Sequence, residues 1–155
     1  MKKTLTTLLF FGILLSTRAF AKFVYTKDGF FSKGNKYAIS GYDPVSYFTE
    51  QKSKEGNKNY FFKYKNETWL FSSLENQKLF EKNPKKYAPQ YGGHCAWAEA
   101  QNGDEVYGDP TIWTIVKGKL YLNYNEEIND KWLKDMPNFI KEANKFWLKE
   151  FKSLN

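Results

Sequence analysis

The only histidine and the only cysteine of the 155-residue sequence are neighbours, His94 and Cys95. They follow two adjacent glycines, Gly92 and Gly93, and aromatic residues stand close by on both sides. A thiolate and an imidazole are ligands for soft or borderline ions such as copper and zinc. The pair therefore predicts a transition-metal site at His94 and Cys95 that would hold copper or zinc, with copper as the first ion to consider.

Neighbouring side chains do not easily share one ion. They point to opposite faces of a strand, or about 100° apart around a helix. Joint coordination would need an irregular turn, which the glycine pair upstream permits. Further ligands would have to come from distant parts of the chain, where the available types are Asp43, Asp109, Met136 and the tyrosines.

Three other interpretations of this pair stay open. In the first, Cys95 is a small buried apolar side chain, and His94 is a polar residue at a helix start that bonds a carbonyl or a tyrosine hydroxyl. In the second, the two form a nucleophile and its base, although such pairs usually come from distant parts of a chain. In the third, aromatic side chains beside His94 line a cleft for a planar or hydrophobic molecule.

Two Asp-Pro pairs invite comparison with the paired carboxylates of acid–base catalysis. They are Asp43-Pro44 and Asp109-Pro110. An aspartate before proline is typical of a helix cap or a turn. We therefore interpret Asp43 as the N-cap of a helix that begins at Pro44, and Asp109 as a turn residue.

The composition indicates a basic, aromatic-rich chain long enough for one domain. Aromatic residues make up 19% of the sequence, so the core must be built largely from packed rings. The net charge is +7, but Arg18 is the only arginine. Because proteins that read nucleic acid rely on bidentate arginine contacts, the sequence argues against a nucleic-acid partner.

The first 21 residues have the pattern of a signal peptide. Lys2 and Lys3 precede an apolar run from Leu5 to Leu15, and Ala19-Phe20-Ala21 matches the small-x-small cleavage pattern. The apolar run is too short to span a bilayer comfortably. We therefore expect cleavage near Ala21 and an exported protein, periplasmic or secreted, that does not span the membrane.

The rest of the chain predicts an extended N-terminal arm at 22–36 and one domain at 37–152. A short strand near Tyr37 comes first. Strand-forming runs at 60–64 and 68–71 predict a β-hairpin, and those at 112–116 and 120–124 predict a second hairpin around Lys117-Gly118.

Helices are expected between and after the hairpins. Ser72 and Glu75 have capping-box spacing, which predicts a helix to about Asn83, with Pro84 ending or redirecting it. Cys95 to Gln101 favours another helix, and the tail after Asn125 favours two, split near Pro137. The apolar face of the last helix comprises Phe139, Ile140, Ala143, Phe146, Trp147 and Phe151. The pattern indicates an α+β fold in which a small antiparallel sheet of two hairpins carries helices on one face.

Five motifs in this order resemble the YHS-domain family in its longer exported bacterial form. They are Gly41-Tyr42-Asp43-Pro44-Val45, Trp69-x-Phe71-x-Ser73, Phe80-x-x-Asn83-Pro84-x-x-Tyr87, Tyr91-Gly92-Gly93-His94-Cys95-Ala96, and Asp109-Pro110 through Tyr124. The resemblance runs from about Tyr37 to Trp147. It implies a small α+β fold, similar to modules attached to copper-transporting ATPases and some multicomponent hydroxylases, and possible metal binding. Such modules often have two cysteines, whereas this chain has only Cys95.

The sequence thus predicts an exported binding or accessory module of the YHS type rather than an enzyme. Its ligand would be a transition-metal ion held by His94 and Cys95. The alternative is a metal-free module that binds a small ligand or a still unidentified protein partner through an aromatic-lined surface. A thiol-dependent enzyme is the third possibility.

Overall fold

A computed structural model of the chain describes residues 37–65 and 67–153. The predicted signal peptide, 1–21, and the predicted arm, 22–36, lie outside the described residues. Within the described part the α+β class is confirmed, because six α-helices accompany two antiparallel two-stranded sheets. In chain order the elements are a 3₁₀ turn (Ile39–Gly41), α1 (Ser46–Thr49), β1 (Asn57–Tyr64), β2 (Glu67–Phe71), α2 (Leu74–Lys82), α3 (Pro84–Tyr87), a second 3₁₀ turn (Gln90–Gly93), α4 (Ala96–Asn102), β3 (Asp109–Val116), β4 (Lys119–Asn123), α5 (Glu126–Leu133) and α6 (Met136–Ser153).

Both predicted hairpins are present, each as its own two-stranded sheet. In β1–β2, Phe62 lies opposite Trp69, and in β3–β4, Thr114 lies opposite Tyr121. The second hairpin turns at Lys117 and Gly118, whose φ values of 50° and 73° are those of a tight turn that matches the strand twist. The local turn chemistry therefore located this hairpin correctly.

The predicted helix starts are wrong in two places, and Asp43 is the reason for both. Helix α1 begins at Ser46 rather than Pro44, and the Asp43 carboxylate accepts a hydrogen bond from the Val45 amide at 2.8 Å. The other carboxylate oxygen accepts from the Ser72 amide at 2.8 Å and the Ser72 hydroxyl at 2.6 Å. Because Ser72 is engaged there, the next residue, Ser73, caps α2 through the Asn76 amide at 3.1 Å.

The remaining predictions differ less from the structure. The short strand expected at Tyr37 is reduced to one parallel bridge with Thr68. Pro84 redirects the chain as expected, because α2 ends at Lys82 and α3 begins at Pro84. The tail forms two helices, with the break just before Met136.

The core consists of two groups of buried side chains, and both contain many rings. The first lies between α2 and the two hairpins, where the Trp69 and Phe80 ring centroids are 5.0 Å apart. The second lies between α4, β4 and the two C-terminal helices, where the Tyr121 and Trp132 centroids are 5.4 Å apart. The prediction of a core built from packed rings is confirmed for the described residues. The second group also packs against the His94–Cys95 segment.

Across residues 37–65 and 67–153, none of the helices combines the length and the apolar character needed to cross a membrane.

Candidate functional site: a cleft over Cys95

The segment that carries His94 and Cys95 is set by a left-handed turn. Tyr91, Gly92 and Gly93 have φ values of 53°, 62° and 88°, a region that favours glycine. The turn is packed closely, because a Cβ atom added to Gly93 would lie 3.0 Å from Ile39 Cγ2. The turn sets the direction in which the chain continues through His94 and Cys95.

His94 and Cys95 then adopt extended backbone beside residues 106 and 107. His94 forms an antiparallel bridge with Tyr107, and the Cys95 amide donates to the Val106 carbonyl at 2.8 Å. Neighbouring side chains on extended backbone point to opposite sides. The two candidate side chains consequently have different surroundings, although both are buried.

The Cys95 thiol faces β4 and the start of α4. Its Sγ atom donates to the Asn123 Oδ1 atom at 3.5 Å, and the side chain is only 1% exposed. Burial raises the pKa of Cys95, and the backbone amides of Ala98, Tyr124 and Trp97 oppose this rise. The thiol is therefore held in its protonated form at neutral pH, as expected of a thiol in apolar surroundings.

Asn123 holds this side of the site together. It is fully buried, and its Oδ1 atom also accepts from the Trp97 amide at 3.1 Å. Its Nδ2 group donates to Asn129 Oδ1 at 3.0 Å. One side chain thus connects the thiol, the first turn of α4 and α5. The sequence interpretation missed Asn123, for which the available signal was an amide at the end of an otherwise apolar strand.

The His94 imidazole lies on the other side, against α6. Its ring packs edge-on against Trp147, with centroids 6.4 Å apart and an interplanar angle of 83°. Burial lowers the pKa of His94 to about 4, so the imidazole is neutral at neutral pH. His94 lies one residue before the N-cap Cys95, at a helix start as expected, whereas its bond to a carbonyl or a tyrosine hydroxyl stays a prediction.

Tyr91 extends this aromatic side. Its hydroxyl lies 3.1 Å from Asn144 Oδ1, and its ring centroid is 5.9 Å from that of Trp147. Burial, then the neighbouring Tyr121 and the fully buried Glu99, raise the pKa of the Tyr91 hydroxyl. The α4–α6 contact is therefore a packed layer of rings with buried polar groups.

A cleft of about 330 Å³ opens on the Cys95 side. Its walls come from α4, the loop after it, and the segment from β4 to α5. The lining residues are Cys95, Trp97, Ala98, Gln101, Asn102, Asp104, Val106, Tyr124 and Ile128. Of the predicted pair, Cys95 lines this cleft and His94 does not.

Three of the further ligands considered from the sequence, Asp43, Asp109 and Met136, have contacts elsewhere. Asp43 accepts from the Asn76 amide group at 2.7 Å in addition to its other bonds. Asp109, the first residue of β3, accepts from the Thr111 amide and hydroxyl at 2.8 and 2.7 Å. Met136 packs against the second core group. Asp43 is therefore not the cap of a helix that begins at Pro44, and Asp109 begins β3 opposite Asn123 instead of lying in a turn.

Among the described residues, no group of three or more His, Cys, Asp or Glu side chains could hold a metal ion. Metal binding through His94 and Cys95 stays a prediction.

The chain matches no protein-family model, no curated protein and no solved structure. The resemblance to the YHS-domain family accordingly rests on the five sequence motifs.

Proposed function

We propose that this protein is an exported binding or accessory module of the YHS type, which takes a small ligand into the cleft over Cys95. The observation that carries the proposal is the cleft itself, about 330 Å³ in volume and lined by Trp97, Tyr124, Val106 and Ile128 around a thiol floor. Ligand sites in proteins are concave and mostly apolar, with a few polar groups, and begin at roughly 300 Å³. The cleft has this size and chemistry.

The elements around the cleft support a binding role because they are tied to one another. Asn123 connects the thiol to α4 and α5, and the Cys95 amide is bonded to Val106. A site whose walls are fixed in advance binds without the cost of ordering them. The polar side chains at its edge, Gln101, Asn102 and Asp104, would orient the ligand.

The protonation states favour binding over nucleophilic catalysis. A catalytic thiol needs a lowered pKa and an adjacent base. Here burial raises the pKa of Cys95, and the His94 imidazole packs on Trp147 instead of lining the same cleft. We therefore propose a non-enzymatic role.

A soft metal ion is the second candidate ligand, and one observation favours it. Cys95 and Asp104, two residue types that coordinate metals, line the same cleft. Copper or zinc held jointly by Cys95 and His94 would require the imidazole to leave Trp147. An ion held from within the cleft would require Cys95 to lose its proton against the effect of burial.

The proposal is tested by nuclear magnetic resonance of the ¹⁵N-labelled protein with a library of small aromatic and aliphatic compounds. We expect binding compounds to shift the amide signals of Ala98, Val106 and Tyr124 together. The variant Ile128→Trp, which places a larger ring at the cleft wall, should abolish these shifts.

Ile112→Trp is the matched control, because Ile112 is also partly buried and lies in β3, outside the cleft lining. It should leave the shifts unchanged. Shifts that cluster elsewhere, or that survive Ile128→Trp, would refute the cleft as the site.

A further inference from the structure

The cleft contains a charge pattern that differs from that of the whole chain. The sequence has 24 Lys and Arg against 17 Asp and Glu. Yet the residues that line the cleft include one aspartate, Asp104, and no lysine, arginine or histidine. A lysine-rich protein thus presents a lysine-free binding surface at this point.

Among residues 37–65 and 67–153, the Asp104 carboxylate takes part in no ion pair. The ion pairs of the described residues join Lys54 to Glu50, Lys131 to Glu127 and Lys145 to Glu142. Asp104 takes part in none of them, and its residue is exposed to solvent. Its charge is available to a ligand.

The aromatic walls complement a positive charge as well. Trp97 and Tyr124 line the cleft, and Tyr124 is 51% exposed. The face of an aromatic ring attracts an ammonium group, and tryptophan does so most strongly. Gln101 and Asn102 offer amide oxygens at the end of α4, where the helix dipole also favours a cation.

We infer that the cleft selects small organic amines, molecules with an apolar or aromatic body and an ammonium group, over carboxylates of the same shape. This inference rests on the proposed function, since it names the ligand class of the same cleft. The apolar body would lie over Cys95 and between Trp97 and Ile128. The ammonium group would face Asp104.

The test uses two probes with one ring and opposite charge, 2-phenylethylamine and 3-phenylpropionate. Binding is measured from amide shifts in the full processed protein at low ionic strength. We expect the amine to bind about fivefold more tightly, the effect of one solvent-exposed ion pair. Added salt should reduce the difference because it screens that pair.

Asp104→Asn should remove the preference for the amine, because it replaces the carboxylate with an uncharged amide of nearly the same size. Asp130→Asn is the matched control, because it changes the net charge equally at an exposed aspartate of α5 that is not part of the cleft lining. It should leave the preference intact.

The outcomes separate the two proposals. If neither probe shifts the cleft amides, and the compound library shifts none either, the proposed function fails. If both probes bind there equally, or the carboxylate binds more tightly, the cleft remains a ligand site and the amine selectivity is refuted. A preference for the amine that persists in Asp104→Asn would also refute the assignment.

Discussion

His94 and Cys95 are adjacent in sequence and buried to nearly the same degree, yet they belong to different regions of the molecule. The imidazole is part of an aromatic layer between α4 and α6, packed against Trp147. The thiol forms the floor of a cleft between α4 and α5, bonded to Asn123. Because the backbone of His94 and Cys95 is extended, their side chains point to opposite sides. The left-handed turn at Tyr91–Gly93 sets the direction of this backbone. A pair of reactive residue types becomes a site only when the backbone presents both side chains to one space.

The largest expected effect is on the pH dependence of the free energy of unfolding, and it comes from His94 on the aromatic side. The pKa of His94 falls from 6.5 to about 4 on folding, so the unfolded chain binds a proton first as the pH decreases. The stability that follows from this difference is complete above pH 6.5 and is lost as the pH falls toward 4, up to about 3 kcal/mol. Urea unfolding of the wild type and of His94→Gln from pH 7.5 to 4 measures it.

The His94→Gln variant should lack this part of the acid sensitivity, while that of the carboxylates remains. If the free energy of unfolding depended on pH equally in the two proteins, the pKa of His94 would not be lowered by burial. The imidazole side would then not differ electrostatically in this way.

Gly108 supports the backbone from which both side chains depart. A Cβ atom there would lie 2.3 Å from the Gly93 carbonyl oxygen and 2.8 Å from Leu122 Cβ. Because a backbone atom must move, we expect Gly108→Ala to lower the free energy of unfolding by about 2 to 3 kcal/mol. Gly118→Ala is the control, since the space at Gly118 is open and only its positive φ of 73° is unfavourable, which should cost about 1 kcal/mol. Equal losses in the two variants would contradict the close packing.

On the cleft side, Asn123→Ala should lower the free energy of unfolding by about 2 kcal/mol, because it removes the acceptor for the Cys95 thiol and for the partly buried Trp97 amide. Asn129→Ala removes one bond of the same network and should cost about 1 kcal/mol. Chemical denaturation measures both. An Asn123 variant as stable as the wild type would show that the thiol side is held by packing alone.

The smallest expected effect is on metal retention, which tests directly whether His94 and Cys95 share one ion. If one ion bridged both residues, Cys95→Ser and His94→Gln would remove it equally. From the separate orientations we expect weak retention of Cu(I) or Zn(II) that falls in Cys95→Ser and is unchanged in His94→Gln. Dialysis of the anaerobically loaded proteins followed by elemental analysis measures the retained metal.

Local sequence signals predicted much of the fold. The Lys117-Gly118 turn, the redirection at Pro84 and the two-part helical tail all follow from properties of a few adjacent residues. The capping of α2 could not be predicted in this way, because Ser72 donates its hydrogen bonds to Asp43, 29 positions away in the chain. Contacts of that range leave no local pattern.

Of the cleft, the sequence singled out Cys95 but not the residues that form its walls. The glycine pair correctly marked a tight turn before His94 and Cys95. The surroundings of the Cys95 and His94 side chains depend on β4 and α6, respectively. Both elements contact this segment only through tertiary packing. Asn123 could have been suspected from its polarity, whereas a role for Trp97 or Ile128 as a cleft wall requires the assembled helices.

The enclosure of the single thiol affects how it reacts with oxidants. Cross-linking between two copies, or oxidation to a sulfenic acid, starts from an exposed thiolate. Cys95 is 1% exposed and its pKa is raised, so both reactions would have to wait for a local opening of the cleft floor. An unpaired cysteine in this position is chemically quiet without needing a disulfide partner.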